Sequence, residues 1–263
     1  MELGLKNKIA FVTASSKGLG KAAAISLAKE GATLAIGSRD QRSINSTADE
    51  IRKLTGVNVF PLTLDVSKSD DIERSVEAVR KEYGTIDILV NNAGGPPTGK
   101  IVSLSDDAWR EGFNLTMMSM IRMSRAVLPL MEHRQWGRVI SIVSITAKQP
   151  IDELLISSTL RPGILGLSKV LANQYARFNI TVNTVCPGFV LTQRQEEIGL
   201  ARSREQNMTM DEYLKESAKN IPLGRLGRPE EIGDVIAFLA SERASYINGT
   251  NILVDGGQAK GIY

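Results

Sequence analysis

The segment Thr13-Ala-Ser-Ser-Lys-Gly-Leu-Gly20 follows an apolar, β-branched run and opens a helical pattern. Gly18 and Gly20 let the backbone come close to a pyrophosphate, and the free N–H groups and dipole of the helix N-terminus stabilise that anion. Thr13, Ser15, Ser16, Lys17, Gly18, Leu19 and Gly20 are the expected cofactor contacts of this loop. A second segment, Gly37-Ser-Arg-Asp40, ends the next apolar run. An acidic residue about 20 positions past the glycines accepts adenosine ribose hydroxyls, whereas an arginine suits a 2′-phosphate. Arg39 falls 19 residues past Gly20, Ser38 takes the acidic position and Lys17 lies in the loop nearby. Two cations and a hydroxyl favour NADP, with NAD left open by Asp40. The one histidine, His133, sits in Met131-Glu-His-Arg134, where the negative end of a helix suits it better than catalysis. The one cysteine, Cys186, precedes Pro187 and reads as a small buried packing residue. One of each gives no recognisable zinc site, so no metal is expected.

These residues need a scaffold, and the chain alternates short strand-like runs with helical patterns, which implies a parallel sheet covered on both faces. The expected strands are Ile9–Thr13, Thr33–Ser38, Val57–Thr63, Ile86–Asn91, Arg138–Ser144, Thr181–Val185 and Asn251–Val254. Between them Ile72, Val76, Val79 and Tyr83 keep a helical period behind Asp70 and Asp71, which suit a helix start. Ile232, Val235, Ile236 and Leu239 do the same behind Pro229, a good first helical residue. Seven strands make one doubly wound α/β sheet in a single domain, residues 1–263. Two segments break the rhythm and are expected to wall a pocket beyond the strand ends: the loop Gly94-Gly-Pro-Pro-Thr-Gly99, and the charged insertion Gln193–Asn220 with its patch of Met208, Met210, Tyr213 and Leu214.

Composition agrees with that frame. The 263 residues are 42% hydrophobic and 23% charged, which fits a globular chain and excludes disorder, collagen and a disulfide scaffold. A net charge of +3 from 32 basic and 29 acidic residues is too balanced to argue for nucleic acid. The N-terminus lacks a basic, then apolar, leader and no run nears 18 apolar residues, so a cytoplasmic protein without a membrane contact is expected.

Read together, the motifs resemble the short-chain dehydrogenase/reductase family over nearly the whole chain. Asn91-Asn92-Ala93-Gly94 is similar to the family's NNAG after its fourth strand, Asp65-Val66 to the pair flanking the adenine, and Pro187-Gly188 with Val190 and Thr192 to the turn that holds the nicotinamide carboxamide. Tyr246-Ile-Asn-Gly-Thr and Val254-Asp-Gly-Gly257 resemble the C-terminal signature. Ala14 replaces the first glycine of the TG-x-x-x-G-x-G pattern, a small-for-small change that the loop should tolerate. The resemblance implies a Rossmann-type fold, an NAD(P) cofactor, a small-molecule carbonyl or acyl-thioester substrate and a homo-oligomer, dimer or tetramer.

The catalytic positions depart from the family. There a serine ends the fifth strand, a tyrosine follows 13 residues later, a lysine four after that, and an asparagine on the preceding helix completes the set. Ser144 and Asn114 match the serine and asparagine, but the same register puts Ser157 for tyrosine and Arg161 for lysine. No tyrosine in the chain has a lysine four residues on. A serine hydroxyl is a far poorer acid than a lysine-assisted phenol, and it ends roughly 4 Å short of the phenol's oxygen. Arg161 cannot donate its own proton, though its charge could offset an oxyanion. Lys148, four past Ser144, is a candidate replacement cation. Pro162 removes a backbone donor to the carbonyl of Ser158 and should bend the helix. Three functions follow: an NADP-preferring reductase resembling the 3-oxoacyl-carrier-protein reductase branch, with Ser157 holding a proton-relay water; a 2,4-dienoyl- or enoyl-thioester reductase, where serine occupies the tyrosine position; or an inactive NADP-binding subunit or sensor. Arg194, Arg202 and Arg204 would suit an anionic ligand or a solvated face equally.

Overall fold

In the computed structural model, residues 2–205 and 207–262 are described, with backbone only at 194, 198, 201, 202, 204 and 205. The strands are β1 (Ile9–Val12), β2 (Thr33–Ser38), β3 (Val59–Thr63), β4 (Ile88–Asn91), β5 (Gly137–Ile142), β6 (Ile180–Pro187) and β7 (Asn251–Val254). The helices are α1 (Gly18–Lys29), α2 (Gln41–Thr55), α3 (Ser69–Tyr83), α4 (Asp106–Phe113), α5 (Ser119–Arg134), α6 (Leu155–Tyr175), α7 (Gln193–Glu205), α8 (Met210–Ala218) and α9 (Pro229–Ala240). All strand pairs are parallel, in the order β3-β2-β1-β4-β5-β6-β7. The order reverses between β1 and β4, the position where open α/β sheets bind ligands.

Both sheet faces are covered because strand residues alternate between two cores. Ala10, Val12, Leu34, Ile36, Val90 and Ile140 pack on α1, α2 and α9, while Phe11, Ala35, Leu89 and Val139 pack on α3, α5 and the end of α6. The helices stop where the sequence lets them. Gly56 and Gly84, at φ 75° and 80°, end α2 and α3 in the left-handed conformation that glycine adopts without a Cβ penalty.

Differences from the expected elements are local. Val57 and Ile86 lead into β3 and β4 without joining them. The fifth strand ends at Ile142 rather than Ser144, because the Ser144 hydroxyl accepts the Thr146 N–H at 3.1 Å and turns the chain into a short 3₁₀ turn, Ile145–Ala147. Helix α6 runs through Pro162 without a break. The 193–220 segment folds into α7 and α8. Gly199 permits their contact, since a Cβ there would come within 2.7 Å of the Tyr213 ring. The loop after β4 is fastened by a bridge between Gly99 and Leu154. The side chains of Arg194, Arg202 and Arg204 lie outside the described residues.

Candidate active site

The glycine loop is held from both sides at the carboxyl edge of the sheet. Thr13 Oγ1 donates to Asn92 O at 2.7 Å and accepts the Asn92 N–H at 2.8 Å, tying the exits of β1 and β4 together. Ser15 Oγ donates to Val12 O at 2.9 Å, and Ser15 N to Gly37 O at 3.0 Å. The hydroxyls of Thr13 and Ser15 are thus spent on the loop's shape. A Cβ on Gly20 would lie 2.5 Å from Ala14 O and 2.6 Å from Asn92 Nδ2, so only glycine allows this approach. Gly18 takes φ +60° as the loop turns into α1, whose second residue, Leu19, is partly buried against the core. Ala14 has φ 46°, left-handed for a residue with a Cβ, at a cost of roughly 1–2 kcal/mol. The exchange from glycine is accommodated, but with strain.

Helix α1 begins with no side-chain cap from Lys17, which leaves its first N–H groups and positive dipole end for an anion. At the exit of β2, Ser38 Oγ donates to Ser16 Oγ at 3.0 Å, and Arg39 and Lys17 are exposed. Asp40 Oδ1 instead accepts the Ser43 N–H at 2.7 Å as the cap of α2, and hydrogen bonds from Ser43 hold its carboxyl below the usual range. Asp65 Oδ1 accepts from the Ser67 backbone and hydroxyl at 3.0 and 2.7 Å. Val66, Thr13, Asn91, Asn92, Ser119 and Met120 line a recess at the switch point, with Ala93 half-buried and Gly94 exposed beside it. Beyond β6, the turn from Pro187 and Gly188 to Thr192 lies over the glycine loop: a Cβ on Gly18 would sit 3.8 Å from Thr192 Cγ2. Val190 within it packs into the core. An uncapped helix end, a glycine cradle and hydroxyls near a pair of cations fit a phosphorylated dinucleotide.

Next to this cradle, α6 places Ser157 and Arg161 one turn apart against the turn that Ser144 begins. The hydroxyls of Ser157 and Thr146 are 2.9 Å apart, with the residues 6% and 1% exposed. Arg161 Nη1 donates to Val143 O, while Nε is buried without a hydrogen-bond partner. Burial pushes the Arg161 guanidinium down to about 10, still charged at neutral pH. Cys186 lies alongside: burial pushes its thiol up, against the Ser144 N–H, the Thr184 side chain and the charges of Lys148 and Arg161. The thiol is therefore protonated and packed, as expected. Asn114 heads a π turn, Asn114–Met118, that joins α4 to α5 and packs on α6. Such single π turns recur at functional sites.

Ser144, Ser157 and Arg161 are thus joined through residues 143–146, and the π turn headed by Asn114 packs on α6. Thr146 is the member that motif spacing misses. A threonine in a turn carries no signature of its own, and only the packing of α6 on 145–147 aims it at Ser157. Half-buried Lys148 acts on the Cys186 thiol, and His133 is exposed in the last turn of α5.

A family model described as enoyl-(acyl carrier protein) reductase matches residues 13–259. The chain belongs to the short-chain dehydrogenase/reductase family. Dehydrogenase/reductase SDR family member 4 of Sus scrofa is 35% identical over 97% of this chain and 88% of its own. The 3-oxoacyl-[acyl-carrier-protein] reductase FabG of Thermotoga maritima is 33% identical over 96% of this chain and 98% of its own. Among solved structures, L-sorbose reductase from Gluconobacter frateurii, complexed with NADPH and L-sorbose, superimposes with a TM-score of 0.97 at 33% identity, covering all of both chains. For a short-chain dehydrogenase/reductase, the cradle at β1 and the hydroxyl cluster at β5 stand on the sheet edge where this fold binds its ligands. No described helix is long and apolar enough to cross a membrane.

Proposed function

We propose that this protein is an NADPH-dependent reductase of a carbonyl compound of the 3-oxoacyl-thioester kind, with Ser157 and Arg161 standing where relatives keep a phenol and an amine. The observation that carries the cofactor choice is the commitment of Asp40 to capping α2, which leaves Ser38, Arg39 and Lys17 to meet the adenosine end. Gly18, Leu19 and Gly20 would take the pyrophosphate with backbone N–H groups in a loop shaped by Thr13 and Ser15. Ser16 would join the adenosine side with Asp65 and Val66. Asn92, Ala93 and Gly94 would flank the centre, and Pro187, Gly188, Val190 and Thr192 the carboxamide. When bound, the reduced nicotinamide supplies hydride to the substrate.

The chain's own residues must then orient a carbonyl and deliver a proton. Ser144, whose hydroxyl proton is not spent on Thr146 N–H, donates to the carbonyl oxygen. Ser157 holds a water in the volume that a tyrosine ring would fill, and its hydroxyl partner Thr146 fixes its rotamer. Arg161 offsets the negative charge developing on oxygen from a buried position, where charge acts strongly. Asn114 holds the far side of that water. The naming of the Thermotoga relative as a 3-oxoacyl reductase, and of the Gluconobacter neighbour as a sorbose reductase, supports a ketone as the reacting group.

A second reading is an enoyl- or dienoyl-thioester reductase. It draws on the absence of a phenol at position 157 and on the description of the matching family model. Following NADPH absorbance against a panel of ketones, 3-oxoacyl thioesters and conjugated enoyl thioesters separates the two. Turnover with 3-oxoacyl thioesters is expected; turnover confined to enoyl thioesters establishes the second reading. Tight NADPH binding with no turnover across the panel makes the chain a binding subunit and overturns both.

A further inference from the structure

The C-terminal tail beyond β7 crosses back over the sheet edge and is fastened at two points. Gln258, 9% exposed, accepts the Phe189 N–H on its Oε1 at 3.3 Å. Two residues on, Lys260 N donates to Gln149 Oε1 at 3.0 Å. The tail between them is made rigid by Asp255, whose carboxylate accepts the N–H groups of Gly257 at 3.0 Å and Ala259 at 2.7 Å. Gly188 shows how tight the first fastening is. A Cβ there would lie 2.7 Å from Asp255 Cβ and 2.9 Å from Gln258 Oε1. One end of the tail is therefore bound to the turn after β6, and the other to Gln149, whose own N–H donates to Ile145 O at 2.9 Å in the turn that Ser144 begins.

We propose that Gln258 is a positioning residue and that residues 255–260 form a strap fixing the 187–192 turn relative to the Ser144 turn. The inference rests on the dinucleotide reading above, because it is the turn lying over the glycine loop that would receive the far end of that molecule. The Phe189 N–H has no carbonyl partner; a side chain from 69 residues away supplies its acceptor. A buried glutamine spent on one backbone N–H of a ligand-facing turn holds that turn's shape, since an unpaired N–H there would cost more than the bond returns. Phe189 is held on its other side by Gly227 N, which donates to Phe189 O at 2.9 Å. The strap thus adds, to the β5–β6 pairing, a second restraint that reaches across to the turn Ser144 begins.

The test compares two ligands that differ only in the nicotinamide: NADP⁺ and 2′-phospho-ADP-ribose, titrated calorimetrically against the whole protein. Gln258→Leu should weaken NADP⁺ by about five- to tenfold, the worth of one buried hydrogen bond, and leave 2′-phospho-ADP-ribose unchanged. Gln258→Glu, which keeps an acceptor for the Phe189 N–H, should restore most of the loss. Gln149→Leu, which frees only the second fastening, should leave both affinities alone and lower kcat of any established reduction. Equal loss of both ligands in Gln258→Leu, or no loss of either, overturns the strap while leaving the cofactor reading intact. Failure of the unaltered protein to bind either ligand overturns both.

Discussion

Thr146 and Ser157 share a buried hydroxyl–hydroxyl contact of 2.9 Å across the interface between a 3₁₀ turn and α6. Each hydroxyl carries one proton, and only one of the two can donate into the contact. With Thr146 as donor, Ser157 keeps its proton for a water or substrate oxygen outside the pair. The contact also restrains the Ser157 side chain, which is buried at 6% exposure.

Removing that hydroxyl should therefore be felt in turnover and not in cofactor affinity. Ser157→Ala is expected to lower kcat by about 10²-fold or more, the range for a lost positioned proton donor. Thr146→Val should lower it by about tenfold, with KM for NADPH within about twofold, because one hydrogen bond of orientation is lost. Steady-state kinetics on an established substrate decide the matter. An unchanged kcat in Ser157→Ala would sink the relay.

How far the sequence revealed this arrangement depended on whether a feature was local. The seven strands, their flanking helices and the glycine loop were legible because each is a periodic or turn signal within about 20 residues. Spacing from Ser144 singled out Ser157 and Arg161 on α6, but their contacts with Thr146 and Val143 O came only from the packing. Arg161 looks from spacing like a cation facing a ligand, whereas the structure buries its guanidinium against Val143 O with Nε unpaired. Thr146 and Gln258 were invisible, since each acts on a residue supplied by a different element. Ser157 partners Thr146 across 11 residues and Phe189 partners Gln258 across 69. The strain at Ala14 was likewise hidden, because the residue type fits and only its φ of 46° does not.

The adenosine end offers a test in which two neighbours should respond differently. Ser38→Asp with Arg39→Ser puts a carboxylate where a 2′-phosphate would sit and removes a cation. NADPH affinity is expected to fall by at least about tenfold while NADH affinity rises. Asp40→Ala removes only the cap on the Ser43 N–H, so it should lower stability modestly in a denaturant titration and leave the NADPH-to-NADH ratio as it was. A change in that ratio for Asp40→Ala would return the carboxylate to the ribose and weaken the case for NADP.

Glu231 links stability to the turn after β6, and its titration gives that link a pH signature. Its carboxylate accepts from Arg225 Nη1 and Nη2 at 2.9 and 2.7 Å and from the Arg228 backbone at 2.7 Å. The Arg225 hydrogen bonds, followed by that of Arg228 N–H, pull Glu231 down to about 2 from an ordinary 4.5. A depressed carboxylate stabilises the folded chain above its unfolded value and loses that contribution as pH falls through the folded one. Glu231→Gln should therefore lower Tm at pH 7, and the gap to the unaltered protein should narrow between pH 4.5 and about 2. Because neighbouring Gly227 donates to Phe189 O, the same substitution should also raise KM for NADPH at neutral pH. A Tm gap that stays constant down to the acid limb would show that the guanidinium contacts contribute nothing specific to the charged form.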